Sequence, residues 1–256
     1  MLRKRIIGTV LVRDNIAVQS FSYNKYLPLG DPIVLIDNLE HWGVDEIALV
    51  VMDRGNKGPD LELIRKISSR GLLTPLIYAG GIKTSENAIS VIRHGAERLI
   101  IDSLLFDDLA SIKEISYQIG AQALIASMPL IISDNKLKHY NYKTKRIHQI
   151  SMDMLNILKK NYFSEILAID FRNEGGLSSY NNSILYEITK LTNLSLIPFG
   201  GISENNQIEN LLCHPNVSAV MIGNSLNYKE NAVFHIKNKL SDNLIRLHKI
   251  SNNEHK

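Results

Sequence analysis

Two stretches of the chain decide its fold: "PLIYAGGIKT" at residues 75–84 and "SLIPFGGISE" at residues 195–204. Each runs from apolar residues through Gly-Gly-Ile to a polar segment that could start a helix. Gly80 and Gly200 lie 120 residues apart (200 − 80 = 120), which is close to half of the 256-residue chain. This spacing indicates a protein built from two similar halves.

Two further pairs of segments repeat in the same order. "VDEIALVVMDRGNKG" (44–58) resembles "FSEILAIDFRNEGG" (163–176), and "AERLIIDSLLF" (96–106) resembles "VSAVMIGNSLNY" (217–228). No linker separates the halves, so we expect one domain over residues 1–248. The last residues, 249–256, are predicted to be a disordered tail.

Short apolar runs rich in Val, Ile and Leu recur along the chain, and amphipathic stretches of helical length lie between them. The runs do not alternate with polar residues, which is typical of parallel strands covered on both faces. Eight strand–helix units in about 250 residues predict an α/β fold, the (β/α)8 or TIM barrel. A doubly wound sheet is the alternative, and the half-length repeat favours the barrel. The predicted strands are residues 6–12, 47–52, 74–79, 98–102, 122–128, 165–170, 194–199 and 218–223.

The composition excludes several classes of protein. A net charge of +3 is too small to indicate nucleic-acid binding, and no apolar run approaches the roughly 18 residues of a membrane helix. A single cysteine excludes an internal disulfide framework and fits a reducing cytoplasm. The eight histidines lack metal-binding spacing, so we predict no metal site. No cofactor is predicted either.

The repeated glycines are predicted to lie at the carboxyl ends of barrel strands, where such barrels place their active sites. Glycine allows close approach of the backbone to a ligand, and a helix N-terminus offers free N–H groups to an anion. We therefore predict two phosphate sites on opposite sides of one mouth; the alternative is that the glycines only form tight turns. The candidate residues are Gly80, Gly81, Asp102 and Ser103 in one half, and Gly200, Gly201, Gly223 and Asn224 in the other.

An ordered set of short motifs carries a family resemblance over nearly the whole chain. The sequence resembles the cyclase subunit of imidazole glycerol phosphate synthase, a lyase of histidine biosynthesis. The resemblance implies a barrel that takes ammonia from a glutaminase docked at its bottom face and binds a bis-phosphate ribonucleotide at its top. The motifs are "MLRKRII" (1–7), "GDP" (30–32), "GVDEI" (43–47), "GGI" (80–82), "GA" (95–96) and "EIL" (165–167).

The chain departs from this family at the residues that perform its chemistry. Leu11 and Pro129 occupy the positions of the two catalytic aspartates. Neither side chain can transfer a proton, and such a group typically contributes about 10²–10⁴-fold to a rate. The family's phosphate loop after the sixth strand has become "FRNEGG" (171–176), which keeps Gly175 and Gly176 as phosphate-binding candidates. Whether the chain is an enzyme is therefore open.

A second family feature is retained at the strand starts. Arg5, Glu46, Arg98 and Glu165 match the ring of four charges that surrounds the ammonia entrance in the family. Four charges around a narrow axis are costly unless they are paired. The alternative is that they are solvated residues on the bottom rim.

Other polar residues are candidates for a different acid–base set. Asp53, Asp102 and Asp170 are predicted to end strands and to point into the mouth, and capping or ligand-hydroxyl contacts are favoured over catalysis for them. Residues 133–149 form a basic segment with aromatic residues that could clamp an anionic substrate, dock a partner or be a solvated hairpin.

The leading hypothesis is a barrel subunit of a glutamine-dependent amidotransferase complex. "GTVLV" (8–12) resembles the apolar first strand of a paralogous branch found with surface-polysaccharide enzymes. That resemblance implies a glutaminase partner and an ATP-dependent sugar amidotransferase that forms acetamidino sugars. The alternatives are a true cyclase with rearranged catalytic acids, and a scaffold that binds a bis-phosphate ligand without chemistry.

Overall fold

The computed structural model describes residues 3–176 and 179–246. The predicted boundary at residue 248 and the tail 249–256 lie outside these residues. The strands are β1 (Arg5–Arg13), β2 (Ile16–Phe21), β3 (Lys25–Gly30), β4 (Glu46–Val51), β5 (Leu76–Ala79), β6 (Arg98–Ile101), β7 (Leu124–Ser133), β8 (Lys136–Asn141), β9 (Arg146–Gln149), β10 (Glu165–Asp170), β11 (Ser195–Phe199) and β12 (Ala219–Ile222). The α-helices are α1 (Pro32–His41), α2 (Leu61–Ser68), α3 (Ser85–Arg93), α4 (Leu104–Asp107), α5 (Leu109–Ile119), α6 (Met152–Lys159), α7 (Ser183–Thr189), α8 (Asn205–Cys213) and α9 (Ala232–Lys237).

Eight parallel strands close into a barrel in the order β1, β4, β5, β6, β7, β10, β11 and β12. The ring of strands closes where β12 pairs with β1, from Arg5 opposite Ala219 to Gly8 opposite Ile222. A parallel bridge between Leu196 and Val217 joins the β11 and β12 segments. The (β/α)8 prediction is confirmed, and each predicted strand overlaps an observed one.

Two antiparallel hairpins extend the barrel at matching places in the two halves. Strand β1 continues through β2 and β3, and strand β7 continues through β8 and β9. Each begins with an Asp-Asn turn in the left-handed region, Asp14-Asn15 (φ 51° and 61°) and Asp134-Asn135 (φ 54° and 56°). Two such residues form the tight turn that matches strand twist, so the duplication extends to these turns. The segment 133–149 thus contains a hairpin, and its β9 strand is exposed.

The core has two layers, because successive residues of a barrel strand point to opposite faces. In β1, Ile7 belongs to the barrel interior, whereas Ile6 packs in the layer beneath the helices. Gly8 faces that outer layer, since a Cβ there would lie 2.9 Å from the Leu39 side chain. The interior cluster consists of Ile7, Ala48, Ile77, Ala79, Ile100, Ile125, Leu167, Ile169, Ile197, Phe199, Ala219 and Met221.

Within residues 3–176 and 179–246, no helix combines the length and apolar character required to cross a membrane.

Candidate functional site

The four charged residues at the strand starts meet in a closed ring of ion pairs. Arg5 lies 3.6 Å from Glu46 and 2.5 Å from Glu165. Arg98 lies 3.4 Å from Glu46 and also pairs with Glu165. Each carboxylate therefore contacts both guanidinium groups, and the ring sits directly below the apolar barrel interior.

Burial and pairing act differently on the two ring carboxylates. Glu46 and Glu165 are 6% and 5% exposed. Burial raises the pKa of Glu46, and the two arginines offset only part of this rise. Burial would also raise the pKa of Glu165, but Arg98, Arg5 and a hydrogen bond from Ser218 together lower it. Of the two carboxylates, Glu165 therefore has the stronger stabilising interactions with the arginines.

At the opposite end of the barrel, the second-half glycine candidates line one pocket. The pocket lies between the ends of β10, β11 and β12. The Asn224 side chain already donates to the backbone oxygens of Ser20 (2.7 Å) and Gly175 (3.2 Å). The lining residues are Leu11, Glu174, Gly175, Gly176, Phe199, Gly200, Gly201, Ile202, Met221, Gly223, Asn224 and Ser225.

The first-half candidates are packed against backbone. A Cβ on Gly80 would lie 2.3 Å from the Val51 carbonyl oxygen, and one on Gly81 would lie 2.4 Å from that of Gly58. The backbone φ angles, +135° and +68°, resemble the +102° and +72° of Gly200 and Gly201. Both halves therefore repeat the same turn. Ser103 lies at the start of α4 and forms no side-chain cap.

Leu11 and Pro129 lie within β1 and β7, which are opposite strands of the barrel. Strand alternation places Leu11 on the same face as Ile7, and Pro129 on the same face as Ile125, so both belong to the interior. Leu11 also lines the glycine pocket. The two interior positions that the resemblance aligns with catalytic aspartates therefore carry no proton-transfer group.

Asp53 and Asp170 each stabilise a loop. Asp53 accepts a 3.2 Å hydrogen bond from the Asp14 backbone N–H in the first hairpin turn. Asp170, only 2% exposed, accepts hydrogen bonds from the backbone and side chain of Asn173 and from the Asn181 backbone. Since Ile169 belongs to the interior cluster, alternation turns Asp170 to the outer face, so the prediction that it points into the mouth is wrong. This geometry suits capping for both residues.

Replacing Asp170 by asparagine is expected to lower the free energy of unfolding by about 1–3 kcal/mol, because an amide nitrogen would face buried donors. The matched change Asp53→Asn keeps an acceptor for its single hydrogen bond and should cost less than about 0.5 kcal/mol. Urea unfolding of both variants measures the difference. Equal losses would contradict the assigned role of Asp170.

Four aromatic side chains cover the mouth. Tyr23 follows β2, which extends the first barrel strand, and Tyr142 follows β8, which extends the fifth. Their ring centroids are 4.9 Å apart. Phe171, after β10, stacks on Tyr140 at 3.7 Å and lies 6.2 Å from Tyr23. Because strands one and five are opposite in an eight-stranded barrel, the Tyr23–Tyr142 contact bridges the mouth. We call these four residues the aromatic cap.

Glu174 holds one edge of the aromatic cap. Its carboxylate accepts hydrogen bonds from the Ser20 hydroxyl (3.1 Å) and the Tyr23 backbone N–H (2.9 Å), and its backbone oxygen accepts one from Ser22. Glu174 is only 2% exposed, and burial raises its pKa despite these bonds. The sequence prediction missed this residue, because a glutamate beside two glycines is typical of a solvated loop.

Gly175 allows the loop after β10 to contact the backbone of β2 at Ser20. A Cβ there would lie 1.8 Å from the Ser20 carbonyl oxygen, and its φ is +74°. Gly71 has a similar φ of +80° with nothing within 4 Å of the same position. The two glycines therefore differ in packing but not in backbone strain.

Replacing Gly71 by alanine is expected to cost about 1–2 kcal/mol of unfolding free energy from the left-handed backbone alone. Replacing Gly175 by alanine should cost about 3 kcal/mol or more, because the Ser20 backbone must also move. Chemical denaturation of the two variants tests this. A Gly175→Ala loss no larger than that of Gly71→Ala would show that the contact is loose.

The described residues contain no group of three or more His, Cys, Asp or Glu side chains arranged to hold a metal ion. The site consists of the ion-pair ring, the apolar interior, the glycine pocket and the aromatic cap.

Comparison with known proteins identifies the family of the chain. A family model described as "Histidine biosynthesis protein" matches residues 5–232. A protein of Vibrio vulnificus (strain YJ016) named "Putative imidazole glycerol phosphate synthase subunit hisF2" is 26% identical over 240 residues, covering 93% of this chain and 88% of the relative. A protein of the same name from Pseudomonas aeruginosa is 26% identical over 250 residues, covering 93% and 94%. The "Imidazole glycerol phosphate synthase subunit HisF" of Natranaerobius thermophilus is 25% identical over 245 residues, covering 94% and 97%. The chain therefore belongs to the histidine biosynthesis protein family, and it is similar to HisF-type subunits of imidazole glycerol phosphate synthase.

Proposed function

We propose that this chain is the barrel subunit of a glutamine-dependent amidotransferase complex. A glutaminase would dock on the face that carries the ion-pair ring and release ammonia there. The barrel would relay the ammonia to an acceptor at the opposite end. The observation that carries this proposal is the complete ring of Arg5, Glu46, Arg98 and Glu165 in a barrel whose catalytic aspartate positions hold Leu11 and Pro129.

The ring and the interior together suit a small neutral molecule. The interior above the ring is apolar, so it disfavours ions but admits ammonia. Its side chains pack against one another, so passage requires the ring to open and the packed side chains to move. Docking of a partner on the ring would supply the interaction energy for such a change.

The relatives support a multi-subunit complex. Their printed names describe subunits of a synthase, two of them designated hisF2. The partner we propose is a glutaminase of the HisH type.

Copurification with a candidate glutaminase tests the proposal directly. We expect a stable complex in which this chain stimulates glutamine hydrolysis, and we expect Arg98→Met to reduce that stimulation. Lys66→Met, which changes an exposed lysine on α2, is the matched control. No complex, or hydrolysis that the chain does not alter, would refute the proposal.

For the acceptor, we propose an N-acetylated or related amide of a sugar, which an ATP-dependent sugar amidotransferase converts to an acetamidino group. The apolar first strand with Leu11 supports this choice over ribonucleotide chemistry. Glutamine labelled with ¹⁵N at its amide should transfer the label to the amidine when all three proteins and ATP are present. Labelled product diluted by added external ammonia would instead favour a scaffold without conduction.

A second candidate is a true cyclase, favoured by the similarity to HisF subunits along nearly the whole chain. Asp53 and Asp170 were the candidate acids for this reaction, and both cap loops. The aromatic cap would also have to open before a bis-phosphate ribonucleotide could enter the mouth. Growth of a histidine auxotroph on this gene would support the cyclase, and failure to grow would count against it.

A further inference from the structure

Several buried polar atoms inside the barrel lack hydrogen-bond partners among the described residues. Two of these atoms, Arg5 Nε and Glu46 Oε2, belong to the ring. The others lie closer to the mouth of the barrel, and they are Thr9 Oγ1, Asp102 Oδ1 and the Tyr142 hydroxyl. Strand alternation places Thr9 on the same face as Ile7 in the interior. Buried polar groups are almost always hydrogen-bonded, so unpartnered ones mark places for a small hydrogen-bonding molecule.

Asp102 is the acidic member of this set. It follows Ile101 at the end of β6, and alternation puts it on the same face as Arg98 of the ring and Ile100 of the interior cluster. Burial raises the pKa of Asp102 to about 7, and the Asp107 carboxylate contributes to the rise. No basic group of the described residues pairs with it.

Asp102 lies at the mouth end of β6, on the interior side of the barrel. Its charge contributes to the raised pKa values of both Tyr23 and Tyr142, which are due first to burial. Tyr23 also packs against the apolar interior. Asp102 Oδ1 and the Tyr142 hydroxyl are both buried without a hydrogen-bond partner in the described part of the chain, and the Tyr142 ring packs on Tyr23. These groups therefore border the junction of the interior and the cap.

We infer that Asp102, with the hydroxyls of Tyr23 and Tyr142, forms a capture site that holds ammonia arriving along the barrel axis as an ammonium ion. This inference rests on the proposed function. The protonated Asp102 carboxyl gives its proton to the ammonia nitrogen, so one O–H bond breaks and one N–H bond forms. The product is an ammonium ion paired with the Asp102 carboxylate. The reverse transfer releases neutral ammonia when the cap opens.

Directed hydrogen bonds would let the site distinguish ammonium from other monovalent cations. Ammonium carries four N–H donors, and the carboxylate and phenol oxygens can accept them. Sodium and potassium offer no donors. The predicted phosphate-binding role of Asp102 is unfavourable, because a carboxylate repels phosphate, whereas it attracts a cation.

Titration of the full chain with ¹⁵N-ammonium chloride, followed by backbone amide NMR at pH 7.5, tests the site. We expect saturable shifts at Asp102, Tyr23 and Tyr142 that sodium and potassium chloride do not reproduce. Asp102→Asn should weaken this binding at least tenfold. The control Asp134→Asn, which changes a highly exposed carboxylate at the second hairpin turn, should bind as wild type.

Three outcomes would overturn the site: no saturable shift, the same shift with potassium, or unchanged binding by Asp102→Asn. Thermal unfolding of Asp102→Asn should show a folded protein, because Asp102 Oδ1 has no hydrogen bond to another described residue for the change to remove. The titration needs no glutaminase. If the chain binds ammonium but does not stimulate the glutaminase, the site stands and the proposed function fails. If it stimulates the glutaminase but does not bind ammonium, the proposed function stands and the site fails.

Discussion

Replacing Glu165 by glutamine is expected to lower the free energy of unfolding by about 3–5 kcal/mol. Glu165 pairs with both Arg5 and Arg98 and accepts a hydrogen bond from Ser218, so its neutralisation leaves two partly buried guanidinium groups sharing Glu46. Urea unfolding at neutral pH measures the loss. The control Glu62→Gln removes an exposed partner of Lys66 on α2 and should have no measurable effect.

The pH dependence of this loss follows from the pKa of Glu165, which is lower in the folded protein than its ordinary value. The stabilisation is fully present above the unfolded-state pKa of about 4.3 and is lost as the pH falls through the folded pKa. The difference between wild type and Glu165→Gln should therefore be largest at neutral pH and shrink below about pH 4. A difference that is the same at pH 3 and pH 7 would mean that charge pairing is not its cause.

Replacing Asp102 by asparagine is expected to raise stability at alkaline pH. The folded pKa of about 7 exceeds the unfolded value of about 3.9, so the folded protein binds a proton that the unfolded chain has released. Stability from this group falls as the pH rises from about 4 to about 7 and stays low above that. At about 1.4 kcal/mol per pH unit, the gain of Asp102→Asn over wild type should grow by roughly 3 kcal/mol between pH 5 and pH 8.

Urea unfolding across that pH range measures the gain, and Asp134→Asn again provides the control on an exposed carboxylate. If the gain in unfolding free energy of Asp102→Asn over wild type does not change with pH, the Asp102 carboxyl is exposed to solvent. That result would also remove the electrostatic support for the ammonium site.

The barrel could be predicted from the sequence because its strands are buried on both faces. Continuous apolar runs such as 165–170, which matches β10 residue for residue, are the direct result of that burial. Because both faces of a strand are buried, the sequence does not indicate which side chains point into the barrel interior and which point toward the helices. Asp170 could not be assigned to the outer face, because its neighbours on both faces are equally apolar.

The two hairpins carried a signal that sequence reasoning did not use. Asp14-Asn15 and Asp134-Asn135 share the 120-residue spacing of the glycines, and both residues of each pair tolerate the left-handed region. A search for repeats restricted to apolar runs passes over them. Including turn residues would have predicted β2 and β8.

The candidate site was only partly predictable. The ring residues follow from the resemblance, because they occupy fixed strand starts. The aromatic cap and Glu174 depend on contacts between segments about 150 residues apart, such as that of Glu174 with Ser20. Nothing in the local sequence distinguishes these residues from solvated loop residues.

The cross-half contact of Glu174 has a consequence for the separability of the two repeats. Glu165 and Glu174 belong to the second repeat, yet their partners Arg5, Arg98 and Ser20 belong to the first. A fragment that ends after residue 120 would retain Arg5 and Arg98 of the ring with Glu46 as the only ring carboxylate. It would also lack the contact of Glu174 with Ser20 in the first hairpin. Coexpressed as two pieces, the chain should therefore assemble only as a complementing pair, and either piece alone should aggregate.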